Sequence, residues 1–274
     1  MRHPLQLFPL SVPVAAAALA AACTSMGPTP ATTGFTARPM PRDGVEVQAG
    51  LLPGHYLSSS VVESPDGNSI EQLSAAAQAD ELVGVPGLVL GVRAFGQEGD
   101  RPIEPVIGYR RALAGGAASI GGFLYGSHAE HEAHGASYEA TRLGGELAGD
   151  VRVFPNRWIE PHVFGGFNLQ RLTAEGTYCT DDRMQWAQDC PEPDEPARPV
   201  VSATARGVFP AAHVGIAAEL LRGRDSWFHG ARVAFMASGG TMPHVESASQ
   251  TADEAYFAFG LTLSVGIGAG AAAD

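Results

Sequence analysis

Residues Tyr138–Leu172 read YEATRLGGELAGDVRVFPNRWIEPHVFGGFNLQRL, two arms around Pro155-Asn156-Arg157. Side chains alternate across a strand. On that spacing Leu143, Gly145, Leu147, Gly149, Val151 and Val153 share one face of the first arm. Tyr138, Arg142, Glu146, Asp150 and Arg152 share the other. In the second arm Ile159, Val163, Phe167 and Leu169 lie opposite Glu160, His162, Asn168 and Gln170. Helical spacing fails, because Arg142, Glu146 and Asp150 would stack in one stripe while the apolar residues scattered. The glycines also disfavour a helix. Each arm runs to about fifteen residues, against about five or six for a mean soluble strand. Long strands, one apolar face and a tight turn predict a barrel wall, either in a membrane or around an apolar cavity.

The same alternation runs through residues 82–268. Leu88, Leu90, Val92 and Ala94 oppose Arg93. Ile103, Pro105, Ile107 and Tyr109 oppose Glu104 and Arg110. Val214, Ile216, Ala218 and Leu220 oppose His213 and Glu219, and Ala231, Val233, Phe235 and Ala237 oppose Arg232. The sequence predicts an all-β fold: an eight-stranded antiparallel up-and-down transmembrane β-barrel with an N-terminal tether and a short helix. Tight turns are expected near 114–116, 155–157 and 222–226, and long loops near 127–137, 174–200 and 240–254. An even strand count places both ends of the wall on one side, as in outer-membrane barrels.

The chain has 274 residues, 34 of them Gly, with 8% aromatics and a formal net charge of -12. That length suits one barrel with a leader. The acidity excludes nucleic acid as a partner, since phosphate would be repelled. All 17 basic residues are Arg, which suits fixed, forked ion pairing better than Lys does. No run of eighteen apolar residues follows the leader, so no helical anchor is expected.

Residues 1–22 resemble a bacterial lipoprotein signal peptide. An apolar stretch ends in Leu19-Ala20-Ala21-Ala22 before Cys23, a small-residue cleavage site with a thiol just after it. The resemblance implies that Cys23 is lipidated, and Thr24, in place of Asp, points to the outer membrane. Residues 23–43 read as a Pro/Thr/Gly-rich tether. Residues 44–81 form an N-terminal segment in which Asn68 or Ser69 caps a short helix carrying Ile70, Leu73 and Ala77. Val45–Leu52 reads as a short strand outside the wall, since a ninth strand would break the parity. Residues 269–274 are a tail.

The polar face collects five cations, Arg93, Arg110, Arg142, Arg152 and Arg232, and five anions, Glu104, Glu146, Asp150, Glu160 and Glu219, with His162 and His213. A closed interior has reason to balance, because an unpaired buried charge costs several kcal/mol. A plugged polar core and no wide channel are expected. Gly91, Gly108, Gly121, Gly144, Gly166, Gly215 and Gly260 are read as room for the long Arg side chains.

Over residues 82–268 this pattern resembles the small eight-stranded outer-membrane β-barrel proteins. The resemblance implies outer-membrane lipid as surroundings and an extracellular or envelope partner met through the long loops. Members of that group serve as envelope anchors, adhesins, small-solute conduits or lipid-modifying enzymes. The chain departs from them at its end, Gly-Ala-Gly-Ala-Ala-Ala-Asp, where an aromatic is usual. The rival reading is a periplasmic lipocalin-like lipoprotein. In it Leu143, Val163 and Phe259 line an apolar ligand cavity and the charges face water.

With Cys23 committed to lipid, Cys179 and Cys190 remain to pair in an oxidising compartment. His128, His131 and His134, with Glu130 and Glu132, are read as a polar surface loop, with Zn²⁺ as the alternative. Asp181, Asp182, Asp189, Glu192, Asp194 and Glu195 are likewise read as a solvated acidic loop, with Ca²⁺ the alternative. His162 beside Glu160 or Asp150, and His213 beside Ser202, could serve as a base pairing for catalysis only by spatial accident. No catalytic motif is found, so neither an enzyme nor a cofactor is expected.

Overall fold

The computed structural model describes residues 36–40, 43–56, 69–78, 84–96, 103–133, 136–154, 159–180, 186–187, 200–220, 228–247 and 250–268. Eleven strands run in chain order: β1 (Gly44–Tyr56), β2 (Ser69–Gln78), β3 (Leu88–Gly96), β4 (Ile103–Leu113), β5 (Ala118–Ala133), β6 (Ala136–Arg152), β7 (Ile159–Thr180), β8 (Trp186–Ala187), β9 (Val200–Leu220), β10 (Phe228–Ser247) and β11 (Gln250–Gly268). All pairings are antiparallel. β6 meets β7, and β1 meets β11, so the sheet closes on itself. β8 is a two-residue addition to β7 outside the ring. The wall therefore has ten strands and not eight.

The two extra strands are β1 and β2. β1 pairs with β11 from Gly44↔Gly268 to Tyr56↔Tyr256, and with β2 from Gly44↔Gln78 to Pro53↔Ser69. The expected short helix is thus strand β2. Its alanines favour a helix locally, and Ile70, Leu73 and Ala77 sit at helical spacing. Ser74, Ala76 and Gln78 are nevertheless buried while Leu73 is exposed, a period of two. Pairing on both sides overrides local propensity. Counting β1 alone would have broken the parity; counting both restores it.

The burial pattern is inverted relative to a water-soluble protein. Leu147 is 70% exposed and Leu263 52%, while Arg93 is 1% and Glu104 0% exposed. Leu143, Val163 and Phe259 also point outwards, so the wall does not enclose an apolar cavity as the lipocalin-like reading required. The outward face carries further apolar residues on every flank, including Ile107, Leu124, Ile216, Phe235 and Leu261. Phe257 and Phe259 meet edge-on at 4.7 Å.

The ring has a near end, where β1 starts and β11 stops, and a far end. At the near end β4 turns into β5 through Ala114–Gly116. Ala114, Gly115 and Gly116 have φ of 48°, 65° and 87°, a left-handed path that glycine takes without steric cost. At the far end the expected loops at 127–137 and 240–254 are mostly strand. β5 and β6 pair out to Ala133↔Ala136, and β10 and β11 out to Ser247↔Gln250. β9 and β10 part company at Ala211↔Gly240, although β9 stays on β7 to Cys179↔Val200. The far rim is therefore split into two raised flaps.

Val47 and Val265 face each other across the β1–β11 join. With the native cysteines replaced by Ser, Val47→Cys/Val265→Cys should crosslink on mild oxidation and migrate as a closed form on gels. A β1 lying outside the wall would give no crosslink.

Candidate functional site in the barrel lumen

Three arrangements of the same kind line the lumen. Arg93 of β3 donates from Nε to Glu104 Oε2 of β4 at 2.6 Å. Its guanidinium lies 3.8 Å from the centre of the Tyr125 ring, and Tyr125 faces Gly144 on the next strand. Arg110 bonds Glu46 at 2.9 Å, lies over Phe123 at 5.7 Å, and Phe123 faces Gly108. Arg232 bonds Asp150 at 2.7 Å, lies over Phe164 at 5.1 Å, and Phe164 faces Gly215. A Cβ on Gly108, Gly144 or Gly215 would collide with the ring it faces. These glycines therefore make room for flat aromatic rings, and the arginines stack on the rings. His213 covers Gly166 in the same way. A guanidinium over a ring contributes about 0.5–2 kcal/mol, more as water is excluded.

The remaining charges join these pairs. Arg142 reaches Glu104 Oε1 at 3.2 Å, and Ser127 donates to the same oxygen at 3.1 Å. Tyr125 donates its hydroxyl to Asn168 Oδ1 at 2.5 Å. Glu146 is 2% exposed and sits between Phe123 and Asn168 in register. Arg152 bonds Glu160 at 3.3 Å, half-buried near the end of the wall.

Two charged residues of this core were not singled out from the sequence. Glu46 lies on β1, and Arg38 lies in the stretch read as tether. Arg38 enters the near mouth, donates from Nη2 to Glu160 Oε2 at 2.9 Å, and forms an ion pair with Glu219, Nη1 lying 2.8 Å from Oε2. Its Nη1 also lies 2.5 Å from His162 Nε2. A guanidinium only donates, so His162 Nε2 accepts and its Nδ1–H donates to Asp150 Oδ1 at 2.7 Å. With these two residues, six wall carboxylates, Glu46, Glu104, Glu146, Asp150, Glu160 and Glu219, share the lumen with six guanidiniums, five from the wall and one from Arg38; both oxygens of Glu146 are without a hydrogen bond among the described residues. For Glu46 a signal was present: Val45, Val47 and Ala49 alternate with Glu46 and Gln48. For Arg38 there was none, because a docked loop has no period.

The His162–Asp150 pair has the geometry of an oriented base, but a guanidinium and no hydroxyl stands at its other nitrogen. Ser202 and His213 lie far apart on β9, about 36 Å at a rise of about 3.3 Å per residue. His128 is exposed and bonds Thr141 Oγ1 at 3.0 Å. His131 belongs to the same extended strand, paired with Tyr138, so no loop folds the two together. The side chain of His131 and all of His134 are outside the described residues, as are Cys23, Cys190, Asp181, Asp182, Asp189, Glu192, Asp194 and Glu195. Cys179 lies in β7.

Arg93→Met should destabilise the protein by about 3–5 kcal/mol, because Glu104 is left buried without its closest partner. Arg93→Met/Glu104→Gln should recover most of that loss in thermal unfolding. A single substitution with an unchanged melting temperature would place Arg93 in water. No family model matches the chain, and no curated protein matches it. Among solved structures, Neisserial surface protein A matches at 8% identity over 81% of this chain and 96% of that chain, with a TM-score of 0.33. Ail, the attachment invasion locus protein of Yersinia pestis, matches at 8% identity over 82% and 97%, with a TM-score of 0.35. A bacterial polysaccharide outer membrane secretin matches at 9% identity over 80% and 97%, with a TM-score of 0.22. Likeness this distant assigns no family.

Proposed function

We propose that this chain is an integral β-barrel of the bacterial outer membrane, with a lumen closed by paired charges and a structural or surface-contact role at its far rim. One observation carries the reading: Leu147 is 70% exposed while its neighbour Glu146 is 2% exposed, and the alternation repeats around the wall. In water, that many bared apolar side chains would be costly, at about 25 cal/mol per Å² of apolar surface. In hydrocarbon the same surface is at home. Lipid also leaves backbone groups no water to bond, so a spanning sheet must close without an edge. This one does.

Single-chain barrels of this kind belong to the outer membrane, with short turns on the periplasmic side. The even strand count and the tight Ala114–Gly116 turn support a periplasmic near end. The signal-like stretch at residues 1–22 supports export, and both its removal and the lipidation of Cys23 are part of the proposal. The raised flaps at the far rim then stand outside the cell, where an envelope or extracellular partner would meet them. A conduit and an enzyme are not part of this reading.

The Cys23→Ser protein should stay with the membrane through a carbonate wash, need detergent in solution, and migrate differently on gels before and after boiling. Remaining soluble without detergent would overturn the proposal. Leu147→Arg should cost about 2–4 kcal/mol if this residue sits near the bilayer midplane. In water the same change would be close to neutral.

A further inference from the structure

We propose that Glu160, His162 and Glu219 form a guanidinium-binding seat at the near mouth of the barrel, and that residues 36–40 are a releasable stopper holding it through Arg38. The seat offers two carboxylates and one imidazole whose ligand atoms lie within 4.8 Å of one another. Arg38 sits among all three at 2.5–2.9 Å. Two carboxylates and an imidazole nitrogen gathered this closely suit a delocalised, forked donor, while a Lys ammonium would meet them as a point charge.

Segment 36–40 has no strand pairing. Its hold on the wall runs through side chains. Arg38 fills the seat, and Gln78 bonds Met40 twice, accepting from its N–H at 3.0 Å and donating to its C=O at 3.2 Å. Ala37 is buried, 3.2 Å from where a Cβ on Gly121 would stand. Beside the stopper a small pocket of about 50 Å³ opens towards solvent, lined by Arg38, Met40, Glu46, Glu219, Arg232 and Ser264 among others. Withdrawal of Arg38 leaves six wall carboxylates against five guanidiniums. Arg152 still meets Glu160 at 3.3 Å, so one guanidinium then faces two carboxylates at the mouth, and the seat attracts a cation of the shape it was built around. The seat also connects inwards, because His162 links Arg38 to Asp150 and so to Arg232. Its occupancy therefore bears on the stacked core. The proposal concerns one end of the barrel and does not depend on what surrounds the wall.

The test is chemical rescue of purified full-length Arg38→Ala. Guanidinium chloride at about 20 mM, well below denaturing levels, should recover at least half of the melting-temperature loss. Equal NaCl or urea should not, and the unsubstituted protein should not respond. In a background with the native cysteines changed to Ser, Ser264→Cys in the pocket should label with a small maleimide at least tenfold faster when Arg38 is Ala. Guanidinium should slow it again, and Glu219→Gln should abolish that slowing. If Arg38→Ala does not fold, Arg38→Lys serves the same comparison and should label faster than Arg38 and respond to guanidinium. Labelling that ignores both Arg38 and guanidinium overturns the proposal, as does rescue by NaCl to the same extent.

Discussion

A charge enclosed by a closed wall has little water to turn to, so its partner must come from the same chain, from the wall or from a segment docked into it. The rest of this structure depends on that constraint. Glu104 serves Arg93 and Arg142, and Asp150 serves Arg232 and His162. Arg38 serves Glu160, Glu219 and His162 at once. Such sharing needs donors fixed in a plane. Arginine has them and lysine does not, which gives a physical sense to a chain whose 17 basic residues are all Arg.

Width follows from the same constraint. An eight-strand interior is just filled by side chains, and diameter grows with strand number. Ten strands leave more room, and rings laid against glycines take it up. Each ring then offers a face on which a guanidinium can lie while its edge binds a carboxylate. The motif recurs at Gly144–Tyr125–Arg93, Gly108–Phe123–Arg110 and Gly215–Phe164–Arg232. Glycine on a strand usually weakens it by leaving nothing to pack; here the neighbouring ring does the packing.

Much of this was legible in the alternation of residues 82–268. The strand type, the outward face and the inward face all follow from a period of two, which survives without knowledge of neighbours. What failed was local. SIEQLSAAAQ carries both a helical and a strand period, and only its partners, β1 and β3, decide between them. The polar stretch after Tyr125 has loop composition, yet strand pairing carries it to Ala133. The glycines were seen, but their purpose was misread, because the sequence does not say which ring stands opposite. Arg38 was invisible, since its place in the core depends on a tertiary contact to residues more than a hundred positions away.

The seam between the first and last strands has a kinetic meaning. Gly44 pairs with Gly268, among the longest loop closures the chain contains. Loop-closure entropy must be overcome before such a contact gives anything back. Hairpins such as β6–β7 assemble from near neighbours, whereas the ring cannot shut until β11 has been made. Until then β1 and β11 both offer bare edges, the kind that recruit other chains. Escort between synthesis and closure is thus built into the order of the strands.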